Sequence, residues 1–318
     1  MSDSSYKEDV EIPRSNGVPC NLPERMKKEL SDLDILGSNV CKLQDESLTE
    51  KEREDLQQEF SEKFYSGEQA AWLNFYYPNQ VLPREKSGEL RRMISTSLIS
   101  EIKDPEECVR SVAIYHQPGA GGTTLGRYML WEFRNDYRCC IIQKITSQTG
   151  DQLFRLFEYQ DENRPKPLLI LIDNGDDDHI FPLYEDLQKR KRSETEIFCV
   201  LLVCYRKTEI PANKIERNIF LTQKLSEPEV EWFKSKYQYL QDKFKEQGTT
   251  IVIHTTLDIL LRILLNIVNK RAWNDTKRSQ FSPLVVELIS EGDTNSALDV
   301  LKTAYEITDN PIVAQQIS

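Results

Sequence analysis

Residues Tyr115–Tyr128 have the sequence YHQPGAGGTTLGRY. It follows an apolar run at residues 111–114 and precedes a segment whose pattern is typical of a helix. A strand that leads into a glycine-rich turn at the start of a helix binds phosphate well, because backbone amides and the helix dipole both favour an anion there. The order of strand, turn and helix therefore predicts a phosphate-binding loop.

The loop departs from the GxxxxGK[ST] motif at two positions. Gly122 stands where the motif has its lysine, and His116 stands where it has its first glycine. Thr123 occupies the position of the hydroxyl that binds magnesium. Loss of the lysine removes a cation but leaves the backbone amides, so we expect hydrolysis to suffer more than nucleotide binding.

A second motif follows along the chain, independently of the first. Leu169–Asp173 is an apolar run that ends in an acid, which is the pattern of a Walker B strand. Asp173 is predicted to hold magnesium through water, while Asn174 replaces the acid that often activates the attacking water. Arg206 follows the next apolar strand and is predicted to sense the γ-phosphate.

These motifs predict one nucleotide site, with ATP or GTP plus Mg²⁺ as its ligands. The predicted nucleotide-binding residues are Pro118, Gly119, Ala120, Gly121, Gly122, Thr123, Thr124 and Arg206. The predicted metal ligands are Thr123 and Asp173. No catalytic residue is assigned, and a working enzyme would need a cation from Arg127, Arg206 or a neighbouring chain.

Four segments follow from the pattern of the whole chain. Residues 1–42 are predicted to be a flexible N-terminal segment, and 43–107 a helical, aromatic-rich lead-in packed on the next domain. Residues 108–225 alternate apolar strands with helices, and continuous runs such as LLILI indicate strands covered on both faces. The predicted fold class is α/β, a P-loop NTPase-like parallel sheet flanked by helices. An all-α segment at 226–318, the start of helical repeats, is predicted to follow it.

Composition narrows the classes of partner. The 318 residues carry a net charge of -11, which argues against a general affinity for nucleic acid or anionic membranes. Seven cysteines without a CxxC pair indicate buried thiols in a reducing compartment. No stretch predicts a membrane span, so we expect a cytoplasmic protein whose helical segments bind protein partners or a second copy.

The segment HQPGAGGTTL resembles the family of sterile alpha motif domain-containing proteins nine and nine-like, which also carry Gly-Gly-Thr-Thr in this loop. The resemblance extends to GEQAAWLNFYYPN, LLILID and LTQKLSEPEVEWFKSKY and covers roughly residue 55 to the end. It implies a STAND-type P-loop module, a signalling switch in large cytoplasmic, interferon-responsive antiviral proteins. Neither a sterile alpha motif nor the family's AlbA-like nucleic-acid-binding domain is visible, so the resemblance carries over the switch and not the effector activity.

Three functions remain open on this basis. The first is a regulatory module of innate immunity that binds Mg-ATP or Mg-GTP through a degenerate Walker A motif, with weak or no hydrolysis. The second is a pseudo-NTPase that keeps the fold as an interaction scaffold and binds no nucleotide. The third is a slow P-loop NTPase with a cation supplied from elsewhere. Nucleotide binding separates the second from the other two.

Overall fold

The structure is a computed structural model, and the residues it describes form two compact units. The described residues are 10–65, 68–82, 84–101, 108–161, 165–173, 175–190, 196–209, 211, 215–232 and 235. Within them, the first unit comprises the chain up to Glu54, Lys86–His116 and Gly122–Phe220; the second comprises Asp55–Glu85, Gln117–Gly121 and the chain from Leu221. Apart from its first residues, the helical segment predicted for 226–318 lies outside the described residues.

Eight strands and eight helices are defined in the described residues. The strands are β1 (Val10–Ile12), β2 (Cys20–Leu22), β3 (Leu33–Leu36), β4 (Val109–His116), β5 (Arg138–Ile142), β6 (Leu168–Ile172), β7 (Cys199–Arg206) and β8 (Asn218–Leu221). The helices are α1 (Glu24–Glu29), α2 (Lys42–Glu46), α3 (Glu50–Tyr65), α4 (Trp72–Tyr76), α5 (Ser87–Ile99), α6 (Gly122–Phe133), α7 (Thr149–Glu158) and α8 (Asp177–Lys189).

The main sheet has six strands in the order β3-β5-β6-β7-β4-β8. β4 pairs with β7, β7 with β6 and β6 with β5, all in parallel. The amides of Ala113 and Gln117 donate to the carbonyls of Arg217 and Leu221, an advance in step that makes β8 parallel to β4. The fold is thus a P-loop NTPase-like α/β fold, with the glycine-rich turn between β4 and α6, as predicted.

The central strands form because their side chains are apolar on both faces. Every residue of β5 and β6 is buried, as is every residue of β7 except Arg206. Helices α5, α6 and α8 pack against this sheet. Gly126 lets α6 approach closely, since a Cβ built there would lie 2.7 Å from Leu171 Cδ1 and 3.1 Å from Cys204 Sγ.

The prediction of a flexible segment over residues 1–42 is corrected for residues 10–42, which form short strands and helices. β1 and β2 pair in antiparallel fashion, and β3 joins the main sheet as an edge strand antiparallel to β5. Leu22, Leu30 and Leu36 are at most 1% exposed. These strands have three or four residues each, too few for a periodic pattern, and pairing with β5 more than 100 residues away stabilises β3.

All seven cysteines are buried, and none of them forms a disulfide. Burial raises the pKa of Cys139, Cys140, Cys199 and Cys204, and the thiolate is the reactive form. We therefore expect fewer than about one thiol per chain to react with a thiol reagent such as DTNB in the native protein at pH 8, and all seven to react in guanidinium chloride. Rapid labelling of several thiols without denaturant would contradict this packing.

No helix among the described ranges is both long enough and apolar enough to cross a bilayer. The most apolar segment of the sequence, residues 256–268, lies outside those ranges.

Candidate nucleotide site

The glycine-rich turn has an unusual backbone. Gly119 and Gly121 have φ values of +80° and +83°, whereas neither Ala120 between them nor Gly122 after them has a positive φ. An alternation in the sign of φ between successive residues is typical of turns that bring backbone amides to one side, where they favour an anion. Both glycines are required for their φ, because a Cβ disfavours this region.

Two side chains from the second unit hold the carbonyls of this turn, which belongs to the same unit. The side-chain amide of Gln223 donates to the Pro118 carbonyl, and its backbone amide donates to Gln117 Oε1 at 3.0 Å. Arg84 donates to the Ala120 carbonyl. These bonds fix the orientation of two peptide groups in the turn. Neither Arg84 nor Gln223 belongs to a P-loop motif, and sequence reasoning missed both.

Gly122 and His116 are in close contact within the first unit. Gly122 is the first residue of α6, and the imidazole of His116, the last residue of β4, lies against its Cα. A Cβ built on Gly122 would lie 2.2 Å from His116 Cδ2 and 2.3 Å from Cγ. The two departures from the Walker A motif are therefore neighbours in space.

Thr123 and Asp173, the two predicted metal ligands, are in contact. The Thr123 hydroxyl donates to Asp173 Oδ1 at 2.8 Å, although the two residues are 50 positions apart. Thr123 lies in the first turn of α6, and Asp173 directly follows β6. Both belong to the first unit, so the sheet and the helix packed on it bring the Walker A hydroxyl to the Walker B carboxylate.

This pair fits magnesium by its donor chemistry. Mg²⁺ prefers oxygen ligands and in nucleotide sites takes only one or two protein groups, with water and phosphate completing its shell. No cluster of three or more His, Cys, Asp or Glu in the described part of the chain offers an all-protein metal cage.

Arg206 and Arg127 are the two arginines of the chain that are predicted to supply a cation. Arg206 is exposed at the end of β7, and its Cα pairs in register with that of His116 on β4. Arg127, one turn after Thr123 on α6, is half-buried. Burial lowers the pKa of Arg127, and the carboxylates of Asp34 and Asp173 oppose that shift. Arg127 therefore interacts electrostatically with Asp173, which follows β6, and with Asp34 on the edge strand β3.

The other predicted site residues lie on α6 and in the glycine-rich turn. Thr124 lies half-buried on α6, next to Thr123. Pro118, Gly119, Ala120 and Gly121 belong to the turn grouped with the second unit. Asn174 lies outside the described residues. The nearby acids have other partners: Asp176 caps α8 by accepting from the Asp178 amide, and Asp177 accepts from the Tyr205 hydroxyl.

Comparison with known proteins supports the resemblance predicted from the loop. The chain is 28% identical to human sterile alpha motif domain-containing protein 9 over 250 residues, and 27% identical to mouse sterile alpha motif domain-containing protein 9-like. Each alignment covers 73% of this chain. The chain spans only 15% and 16% of the length of these relatives, and no family model matches it.

Two solved structures show weaker similarity. The structure of PCH-2 from C. elegans is 12% identical, with a TM-score of 0.35, over 62% of this chain and 63% of that one. Drosophila ORC bound to DNA is 14% identical, with a TM-score of 0.39, over 78% of this chain and 68% of that one. Both TM-scores lie below 0.5, a level at which a similarity does not establish a shared fold.

Proposed function

We propose that this chain is a regulatory module that binds Mg-ATP or Mg-GTP, with weak or no hydrolysis. The observation that carries the proposal is the hydrogen bond between Thr123 and Asp173, since a P-loop fold holds magnesium between these two positions. The turn before α6 contributes backbone amides and the helix a favourable dipole, and neither depends on a lysine side chain. Thr124 and Arg206 complete the proposed site.

The side chains support binding more than turnover. Thr123 and Asp173 would hold Mg²⁺, which when bound neutralises charge on the phosphates. Arg206 is exposed at the strand end and available to an anionic group. Asp176 accepts from the Asp178 amide and Asp177 from the Tyr205 hydroxyl at the start of α8. Neither therefore replaces the catalytic acid whose position is occupied by Asn174. A site with cations and oxygen ligands but without a general base binds nucleotide and hydrolyses it slowly.

The setting of this switch is part of the same proposal. The resemblance to sterile alpha motif domain-containing proteins nine and nine-like supports a role in a cytoplasmic, antiviral signalling protein. The segment after residue 226, which the sequence predicts to be helical, would transmit the nucleotide state or bind a partner.

Calorimetry with Mg-ATP and Mg-GTP tests the proposal. We expect wild-type protein to bind at least one of them, and Asp173→Ala to weaken binding by about tenfold or more, because it removes the carboxylate that would hold Mg²⁺ through water. EDTA should have a similar effect on the wild type and little effect on the variant. Asp178→Ala is the matched control, since Asp178 is an exposed aspartate in the first turn of α8.

The pseudo-NTPase scaffold gives the opposite result. A protein that binds no nucleotide shows no rise in melting temperature at millimolar Mg-ATP or Mg-GTP, whereas a binder is stabilised in proportion to ligand saturation. Equal behaviour of wild type, Asp173→Ala and Asp178→Ala would refute nucleotide binding and leave the scaffold.

A further inference from the structure

The glycine at the lysine position is required for space, not for backbone conformation. Gly122 does not have the positive φ of Gly119 and Gly121, and it begins α6 with backbone angles open to any residue. What excludes a side chain is His116: a Cβ at position 122 would lie 2.2 Å from its Cδ2 and 2.7 Å from its Nε2. Cβ atoms essentially never approach heavy atoms closer than 3.0 Å.

The backbone of His116 is held in this position by the sheet, and its side chain is buried. The residue is 5% exposed and ends the longest parallel pairing of the sheet, where its Cα faces that of Arg206. Its carbonyl accepts a hydrogen bond from the Lys207 amide at 3.0 Å. Admitting any side chain at position 122 therefore requires the buried imidazole to leave its place at the end of β4.

We propose that His116 and Gly122 are one matched replacement, in which the imidazole of His116 fills the space of the Walker A lysine and excludes it. His116 is thus a positioning residue, because its imidazole keeps any side chain out of position 122. The consequence for nucleotide affinity rests on the proposed function. The two positions are the first glycine and the lysine of the motif. Changing both, His116→Gly with Gly122→Lys, restores GxxxxGKT in full.

A variant cycle at these two positions tests the pairing without any ligand. We expect Gly122→Lys alone to lower the melting temperature by several degrees, on the order of 4–8 °C, because it overpacks a buried site. In the His116→Gly background, the same Gly122→Lys change should lower the melting temperature by much less than it does in the wild type. Gly122→Ala, with the smallest possible Cβ, is a milder version that should show the same pattern. Gly88→Lys is the control, a helical glycine with nothing within 4 Å of its Cβ position.

Nucleotide affinity gives the second readout. The rebuilt loop should bind Mg-ATP about 10- to 100-fold more tightly than wild type, because it gains a charged donor to phosphate. Gly122→Lys alone should gain little. A lysine that is accepted at position 122 beside His116, with unchanged melting temperature and the full gain in affinity, would overturn the pairing. So would a double variant that loses as much stability as the two single changes added together.

The outcomes also separate this inference from the proposed function. If the rebuilt protein binds nucleotide and the wild type does not, the proposed function fails and the pairing stands. If neither protein binds, the proposed function fails, and the ligand-free cycle alone decides the pairing.

Discussion

Replacing Arg138 with methionine is expected to lower the free energy of unfolding by about 3–5 kcal/mol, the range observed when one member of a buried ion pair is removed. Arg138, on β5, is 0% exposed. It donates to the carbonyls of Leu156 and Phe157 at 2.6 Å each and to that of Tyr159 at 2.9 Å, which are free carbonyls at the end of α7. It also donates to the Pro13 carbonyl at 3.0 Å.

The loss is large because methionine fills the volume but satisfies none of these acceptors. Asp161, 8% exposed, pairs with Arg138 at 3.4 Å and accepts from the amide of Ser15 at 2.8 Å. Without the guanidinium, this carboxylate and the carbonyls stay buried with fewer donors, and each such group costs about 1–3 kcal/mol. Arg138→Lys should recover only part of the loss, because an ammonium cannot span the same acceptors.

Denaturation by urea, followed by tryptophan fluorescence, measures this effect as a lower midpoint with an unchanged slope. Arg155→Met is the control, since Arg155 is 58% exposed and pairs with Glu29 only at 3.5 Å. Its cost should stay below about 1 kcal/mol. A loss at Arg138 no greater than that at Arg155 would show that the buried network does not stabilise the fold.

Arg138 also illustrates what the sequence hides. The apolar runs of β6 and β7 predict buried parallel strands, because only strands covered on both faces carry such runs. An arginine at the start of β5 gives no such signal, since its burial depends on carbonyls at the end of α7 and after β1. The same holds for β3, which owes its place in the sheet to pairing with β5. A local pattern predicts the strands whose own residues carry the apolar signal, and long-range partners decide the burial of Arg138 and the place of β3.

The site divides along the same line. The contact between Thr123 and Asp173 follows from two motifs, since each places its residue at a known point of a P-loop fold. The contact between His116 and Gly122 does not follow from any spacing, because it depends on how the chain between them turns through Gly119 and Gly121. Sequence alone identified both departures from the motif, and only the coordinates show that they touch.

Replacing Glu229 with glutamine is expected to be comparably damaging, at about 3–5 kcal/mol, within the second unit. Glu229 Oε1 accepts from Arg84 Nε at 2.7 Å and from the Glu85 amide at 2.8 Å, while Oε2 accepts from the Ser226 amide at 2.7 Å. The last bond is the glutamate half of a capping box that begins at Ser226. An amide NH₂ in place of either oxygen would face a donor instead of accepting from it.

The pH dependence of stability provides a separate signature of this carboxylate. Burial alone would raise the pKa of Glu229, but the amides of Ser226 and Glu85 and the guanidinium of Arg84 outweigh it and lower the pKa below its ordinary value of 4.5. A carboxylate with a depressed pKa stabilises the folded state above its unfolded pKa, and this contribution is lost as the pH falls through the folded value. The wild type should therefore lose stability below about pH 4.5, and Glu229→Gln should lack that part of the slope.

The effect should also reach the phosphate loop, because Arg84 is shared. Besides pairing with Glu229, Arg84 donates to the carbonyl of Ala120 in the glycine-rich turn and to that of Thr222 at 3.2 Å. A guanidinium released from Glu229 holds the turn less firmly, so Glu229→Gln should weaken Mg-nucleotide binding as well as stability. Glu227→Gln, an exposed change in the same helical turn, is the control and should cost about 0.3–1 kcal/mol. Unchanged nucleotide affinity in a Glu229→Gln protein that is clearly destabilised would show that the glycine-rich turn keeps its shape without this ion pair. The state of the turn would then be independent of the helical residues that begin at Glu227.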